Sequence, residues 1–214
     1  MKIHLLFLLA ATIISGCDNG IHGSGKIITD KRNVSGFQSI STDAVAEITL
    51  IQDSSSYVEV NTYENLIPII ETNVENGNLH IDSRRQISMM DNDRVKVMIH
   101  VPSLDQMSLA GVGSIKTEKP FHFKSISMTL SGVGSINISG DAHTVSVTNS
   151  GAGSIDVKAL NADSVFATNS GVGSIHCAPG KYLKAIVSGV GSIGYIGNPV
   201  VDKTVSGVGS VHKE

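Results

Sequence analysis

Through the second half of the chain, apolar and polar residues alternate with a period of two. Ile126, Met128, Leu130, Gly132, Gly134, Ile136 and Ile138 form one set, and Ser127, Thr129, Ser131, Val133, Ser135 and Asn137 the other. Val145, Val147, Asn149, Gly151, Gly153, Ile155 and Val157 repeat the first set, as do Val165, Ala167, Asn169, Gly171, Gly173, Ile175 and Cys177. Period two predicts β-strands with one face buried and one solvated. No period of 3.6 runs through this half.

A five-residue phrase punctuates the alternation six times: Gly111 to Ile115, Gly132 to Ile136, Gly151 to Ile155, Gly171 to Ile175, Gly189 to Ile193 and Gly207 to Val211. Successive copies start 21, 19, 20, 18 and 18 residues apart. A repeat of this length predicts a solenoid, in which each unit buries its apolar face only against its neighbours. Gly140-Asp141, Asn161-Ala162-Asp163, Pro179-Gly180 and Gly197-Asn198-Pro199 supply the turns. Each coil then reads strand, glycine bend, strand, turn. At about 4.8 Å between strands, equivalent residues form ladders, with Ile115, Ile136, Ile155, Ile175, Ile193 and Val211 facing inward. The paired glycines Gly111, Gly113, Gly132, Gly134, Gly151, Gly153, Gly171, Gly173, Gly189, Gly191, Gly207 and Gly209 are expected to be structural, at a bend where backbones approach closely or φ is positive. Strict alternation puts the central Val outside, whereas a sharp bend would turn it inward. The glycines open no helix and no Gly-Lys-Ser/Thr follows them, so a phosphate loop is rejected. A left-handed hexapeptide helix fails on phase, and calcium-binding nonapeptides fail on period and on the missing Asp.

The first half is strand-rich but less regular. Gly23-Ser24-Gly25-Lys26-Ile27 reads as a degenerate copy of the phrase. Val58 and Val60 alternate with Tyr57 and Glu59, and Glu64 to Ile70 predicts one helical turn interrupted at Pro68. Asn76-Gly77 between Thr72-Val74 and Leu79-Ile81 predicts a tight hairpin. Arg84 to Arg94 reads as a polar loop, and Val95, Val97, Ile99 and Val101 as a strand closed by Pro102. The expected organisation is a signal segment at 1–16, a short leash at 17–25, a strand-rich capping part at 26–104 and the repeat body at 105–214, the last two forming one continuous body.

Targeting enters at the N-terminus. Lys2 gives a positive start, Leu5 to Ile14 an apolar core too short to span a bilayer, and Ile14-Ser15-Gly16-Cys17 resembles a bacterial lipobox. The expectation is lipidation of Cys17, with acyl chains each contributing about 0.8 kcal/mol per buried CH₂. The mature chain would have 214 − 16 = 198 residues, and its formal charge would pass from −3 to −4 on losing Lys2. With no basic stripe, nucleic acid is excluded as a partner. Only Cys177 then remains, so no intramolecular disulfide forms. It sits on the inner phase and reads as a small buried hydrophobe.

Gly23 to Ile27, Val34-Ser35-Gly36-Phe37, Asn65-Leu66, Asn76 to Ile81, Val97 to Pro102 and the six glycine phrases together resemble the bacterial family described as putative auto-transporter adhesin, head GIN domain. The resemblance spans roughly residues 26 to 212. It implies an all-β right-handed parallel β-helix, here of about six coils with an irregular N-terminal cap, and an envelope or cell-surface role. It implies no catalytic residues.

Candidate chemistry is sparse. His22, His80, His100, His122, His143, His176 and His212 show no metal-site spacing, and Asp105, Glu118, Asp141, Asp156, Asp163 and Asp202 scatter among turns and strands. No catalytic residue, metal ligand or cofactor is expected. The serine ladder Ser114, Ser135, Ser154, Ser174, Ser192 and Ser210 has no adjacent base, so it predicts a solvated face with ladder hydrogen bonds rather than nucleophiles. Asn149 and Asn169, one coil apart at one phase, predict an internal amide stack. The chain has no Trp, and Phe121, Phe123, Phe166, Tyr182 and Tyr195 are the only aromatic rings in the coils, which disfavours a sugar groove. The expected function is a lipid-anchored envelope module that binds, adheres or scaffolds without catalysis, its partners being the membrane and an envelope protein or glycan, with weak self-association. A carbohydrate-active β-helix enzyme using acids such as Asp141 and Asp163 is the alternative.

Overall fold

The structure is a computed structural model, and it describes residues 20–88 and 95–214. The alternating segments become stacked strands. Among the described residues these are β1 (Ile27–Arg32), β2 (Ser39–Thr42), β3 (Val45–Gln52), β4 (Tyr57–Tyr63), β5 (Ile70–Glu75), β6 (Asn78–Ser83), β7 (Val95–Val101), β8 (Gln106–Leu109), β9 (Val112–Thr117), β10 (Phe121–His122), β11 (Ser125–Leu130), β12 (Val133–Asn137), β13 (Gly140–Asn149), β14 (Ala152–Asn169), β15 (Val172–Val187), β16 (Val190–Tyr195), β17 (Val200–Val205) and β18 (Val208–Lys213).

The strands stack in parallel on two long faces. One face runs β6, β2, β8, β11, β13, β14, β15, β17. The other runs β7, β3, β9, β12, β14, β15, β16, β18. β14 and β15 are long enough to turn the far corner and contribute to both. The protein is therefore an all-β parallel solenoid of about five turns. On the second face Val112, Val133, Ala152, Val172, Val190 and Val208 stack one upon another.

The core lies between the faces. Ile115, Ile136, Ile155, Ile175 and Ile193 are fully buried and Val211 nearly so. Each such side chain contributes about 1.5–3 kcal/mol relative to leaving it in water. Facing them, Ile40, Met107, Met128, Val147, Ala167 and Ala185 stack in one column and shrink along the axis. That column ends at Lys203, which stacks on Ala185 and is exposed. The central valines point outward: Val133, Val172, Val190 and Val208 are all exposed.

The first half departs from the sequence expectation in several places. The degenerate first copy of the phrase is Ala44 to Ile48, whose Ala46 and Ile48 stack on Gly113 and Ile115. Gly23 to Ile27 instead leads into β1, which pairs antiparallel with β4. β2 and β3, before residue 105, thus already lie in the parallel stack. The segment Arg84 to Arg94 is not wholly a polar loop, since Ile87 and Ser88 are buried; residues 89–94 lie outside the described residues. The leash is also partly docked. Ile21 bridges Ile87, its amide donates to Gln86 O at 2.9 Å, and Asn65 Nδ2 donates to His22 O at 2.9 Å. The hairpin at Asn76-Gly77 forms as expected, β5 running antiparallel to β6, with φ of 50° and 76° at the two turn residues as a type I′ turn requires. Pro68 lies inside a short 3₁₀ turn, Ile67–Ile69, rather than interrupting one, because in the first turn of a helix its fixed φ fits and its missing N–H breaks no helical bond. Arg32 holds that turn by donating to Ile67 O and Ile70 O.

Candidate functional site

Among the described residues no cleft dominates, and the candidate site lies on the corners and faces. At the glycine corner the chain reverses between the two long faces in two residues. The carbonyl of the last inner residue of one rung accepts two amides from the next: Leu130 O takes Ser150 N and Gly151 N at 2.8 and 3.0 Å, and Asn149 O takes Ser170 N and Gly171 N at 2.8 and 3.0 Å. The rungs are thereby pulled into close backbone contact. Gly134 has φ of 148°, and a Cβ there would stand 1.9 Å from Gly113 O. A Cβ on Gly132 would stand 2.0 Å from Gly111 O. Alternate glycines thus meet two separate demands, a φ that L-residues avoid and an axial carbonyl. The rung before Gly111 and Gly113 carries Ala44 and Ala46 at these positions, and Ala46 stacks in turn on Val95 of β7.

Inside this corner Asn149 and Asn169 are fully buried. Asn149 Nδ2 donates to Asn169 Oδ1 and to Gly153 O, both at 3.3 Å, and Asn169 Nδ2 donates to Gly173 O at 2.7 Å. The amide stack predicted from phase is present, and it ties each corner to the strand that follows. Its first member is incomplete, because Asn149 Oδ1 has no donor where Leu130 occupies the preceding rung.

The serine ladder faces outward. Three of its hydroxyls bond along their own strands, and none bonds to another of the ladder among the described residues, which corrects the expected ladder bonds. Ser135 accepts from Asn137, Ser174 pairs with His176 at 2.9 Å and Ser210 with His212. Residue two on is the next outward position, so the polar neighbour there captures the hydroxyl.

The opposite face, built on β2, β8, β11, β13 and β14, presents hydroxyls in a grid. Ser41, Ser108, Thr129, Thr148 and Thr168 form one column, and Ser125, Thr144 and Ser164 another. In the column between them Gln106, Ser127 and Ser146 lead to Phe166, then Lys184 and Asp202. Phe166 is 40% exposed. Tyr182, one rung on, meets it edge-on at 6.1 Å between centroids, and Tyr182 Oη donates to Asp202. Phe121 and Phe123, by contrast, are buried and stacked on each other. Composition lists the five rings of the coils equally, and only strand phase separates Phe166 and Tyr182 as outward.

The far corner gathers residues that the sequence left scattered. His122 Nδ1 meets Asp141 at 2.5 Å, His143 Nδ1 lies 3.6 Å from Asp163, and Lys181 Nζ lies 3.1 Å from the same carboxylate. Asp141, His143, Asn161 and Asp163 line a shallow concavity of about 420 Å³. The hydrogen bond from Lys181 leads the causes that hold the Asp163 carboxyl below the usual range. Unequal spacing along the chain hid this grouping, because the corner loops differ in length. Asp156 faces outward and accepts from Lys158 N. Glu214 folds back against His176 and Lys158, the latter at 3.2 Å. His100 pairs with Asp53 at 3.1 Å and stacks on Tyr57. Cys177 is fully buried, and burial pushes its thiol up to about 12, so it stays protonated and unreactive. Among the described residues no group of three or more His, Cys, Asp or Glu is placed to hold a metal ion, and no helix is long and apolar enough to cross a membrane. Cys17 lies outside the described residues.

Three crystal structures share this architecture. A putative adhesin from Bacteroides fragilis is 25% identical with a TM-score of 0.76, over 91% of this chain and 100% of that one. A protein from Parabacteroides distasonis described as a putative lipid binding protein is 22% identical with a TM-score of 0.55, over 91% and 99%. A putative adhesin from Parabacteroides merdae is 19% identical with a TM-score of 0.52, over 91% and 99%. No curated protein matches the sequence. The family model for putative auto-transporter adhesin, head GIN domain, matches residues 36–199, most of the chain and nearly all of its parallel stack, and the protein belongs to that family.

Proposed function

We propose that the protein is an envelope lipoprotein, held on a membrane through lipid on Cys17, whose solenoid acts as a non-enzymatic adhesion-like or scaffold module. The observation that carries this reading is the surface. Two long faces offer regular outward columns of Ser, Thr and Val, and the charged groups Asp141 and Asp163 at the far corner are already paired with His122, His143 and Lys181. Flat periodic faces suit contact with an extended partner better than enclosure of a small substrate. Membership of a family of putative adhesins supports the same reading.

One observation favours the carbohydrate-active alternative: Asp141 and Asp163 line one concavity. A glycosidase needs one carboxyl held protonated near neutrality. Asp163 is pulled the other way by Lys181, and each acid is matched by a histidine. The adhesion reading therefore stands ahead.

Two measurements test it. Cells carrying Cys17→Ala should release the protein from the membrane fraction, and cells lacking the protein should attach less to host or neighbouring-cell surfaces. Retention of Cys17→Ala in membranes would overturn the anchor, and unchanged attachment would overturn the adhesion role.

A further inference from the structure

Resting on the adhesion reading, we propose that the face around Phe166 binds an extended, neutral polysaccharide. Phe166 stands in a grid otherwise made of small hydroxyl residues. Ser146 precedes it in its own column, Ser164 and Thr168 flank it along the strand, and Thr144 and Thr148 lie diagonally across the rung before. A ring 40% exposed at that place stays in contact with water and gains nothing from burial in the core. It offers a flat apolar surface of the size of a pyranose ring, whose C–H face is also apolar. Tyr182, fixed by its bond to Asp202, sets a second ring edge-on beside it. The surrounding hydroxyls both donate and accept, matching sugar hydroxyls, which do the same. Rungs about 4.8 Å apart repeat on the scale of one sugar unit, so a chain lying along the axis over residues 125–130, 144–149 and 164–169 meets one outward row of side chains at each step.

Charge selects the occupant. Where residues 39–42, 106–109, 125–130, 144–149 and 164–169 stack, the outward positions carry Ser, Thr, Gln and Phe, and the charged Asp141 and Asp163 lie beyond them at the far corner, each paired with a histidine. The first cation, Lys184, is followed in its column by Asp202. An anionic polymer would find here no cluster of cations, only Lys184 with Asp202 next in its column, on a chain of net charge −3, whereas a neutral polymer is matched by the hydroxyls without leaving a charge desolvated. A protein partner would demand a larger apolar centre than this face supplies.

The test is affinity electrophoresis of the full chain in detergent through gels containing xylan, a β-1,3-glucan or glycogen, with heparin and polygalacturonate as anionic contrasts. At least one neutral polymer should retard the protein. Phe166→Ala should weaken that retardation about tenfold, the value of one aromatic contact, with an unchanged melting temperature. Phe166→Leu keeps the apolar bulk, so it guards against a folding defect and should lose retardation too. Val172→Ser, on the other long face, should change nothing. Retardation by anionic polymers alone, by no neutral polymer, or equally by wild type and both Phe166 variants overturns the proposal, as does capture of an envelope protein through Phe166 without retardation. The same variants returned to cells separate the two readings: Phe166→Ala cells that attach like wild type remove the glycan platform and leave adhesion standing.

Discussion

At the scale of single residues the glycine columns set the tightest constraint. Gly134 combines φ of 148° with a carbonyl 1.9 Å from where its Cβ would be. The obstruction is axial, from the backbone of the preceding rung, and not from the core that alternation assigned to this position. A rung must therefore separate from its neighbour to admit any side chain. Gly134→Val should lower stability by at least the 1–3 kcal/mol typical of overpacking, whereas Ser135→Val, one residue on and facing outward, should change it within about 0.5 kcal/mol. Thermal melts of the two variants check this, and equal shifts would place the strand phase in error. Period two made the Ile115 to Val211 ladder and the Asn149–Asn169 stack legible beforehand, because phase alone fixes which residues share the interior. It left the central valines ambiguous, since their direction depends on φ at the glycines, and it misplaced the first copy of the phrase. Searching for glycine pairs favoured Gly23 to Ile27, although the rung that begins the columns tolerates Ala44 and Ala46.

Among the elements, β18 is held by a side-chain clip as well as by its ladder to β16. Glu214 takes its hydrogen bond from His176, pairs with Lys158, and sends its amide to Tyr195 O at 2.9 Å. The His176 bond, followed by Lys158, holds the Glu214 carboxyl below its ordinary value of 4.5. A depressed folded value means the clip contributes fully above the unfolded value and fades as pH falls through the folded one. Amide protection along β18, corrected for intrinsic exchange, should accordingly drop once pH goes below about 4.5, and Glu214→Gln should flatten that dependence. A wild-type β18 equally protected at pH 3 and pH 6 would remove the clip. This contact was not legible, because nothing local links residues 158, 176 and 214; three rungs of stacking bring them together. The β5–β6 hairpin was legible, because Asn76-Gly77 specifies its turn within four residues. The far-corner grouping of His122, Asp141, His143 and Asp163 lies between these cases, for its members are turn residues whose loops differ in length.

For the molecule as a whole, the register permits removal of a complete coil. Deleting residues 152–171 joins Gly151 to Val172, which stacks in the column that Ala152 leaves. Asn149 would then find Gly173 four residues on, the same separation at which it now bonds Gly153 O. The shortened chain should fold cooperatively, with its long dimension reduced by about 4.8 Å. Deleting residues 152–170 should not fold, because a slip of one residue turns every later inner side chain outward. Circular dichroism melts and small-angle scattering distinguish the outcomes, and loss of folding in both deletions would mean that particular coils, not their stacking, specify the structure. The axial fit of glycine onto carbonyl has a further meaning here. Because each rung seats on the one before by the same contact, the molecule is a ruler graduated in coils. Copies can be gained or lost one at a time, and its reach changes in fixed steps while its faces keep the same texture.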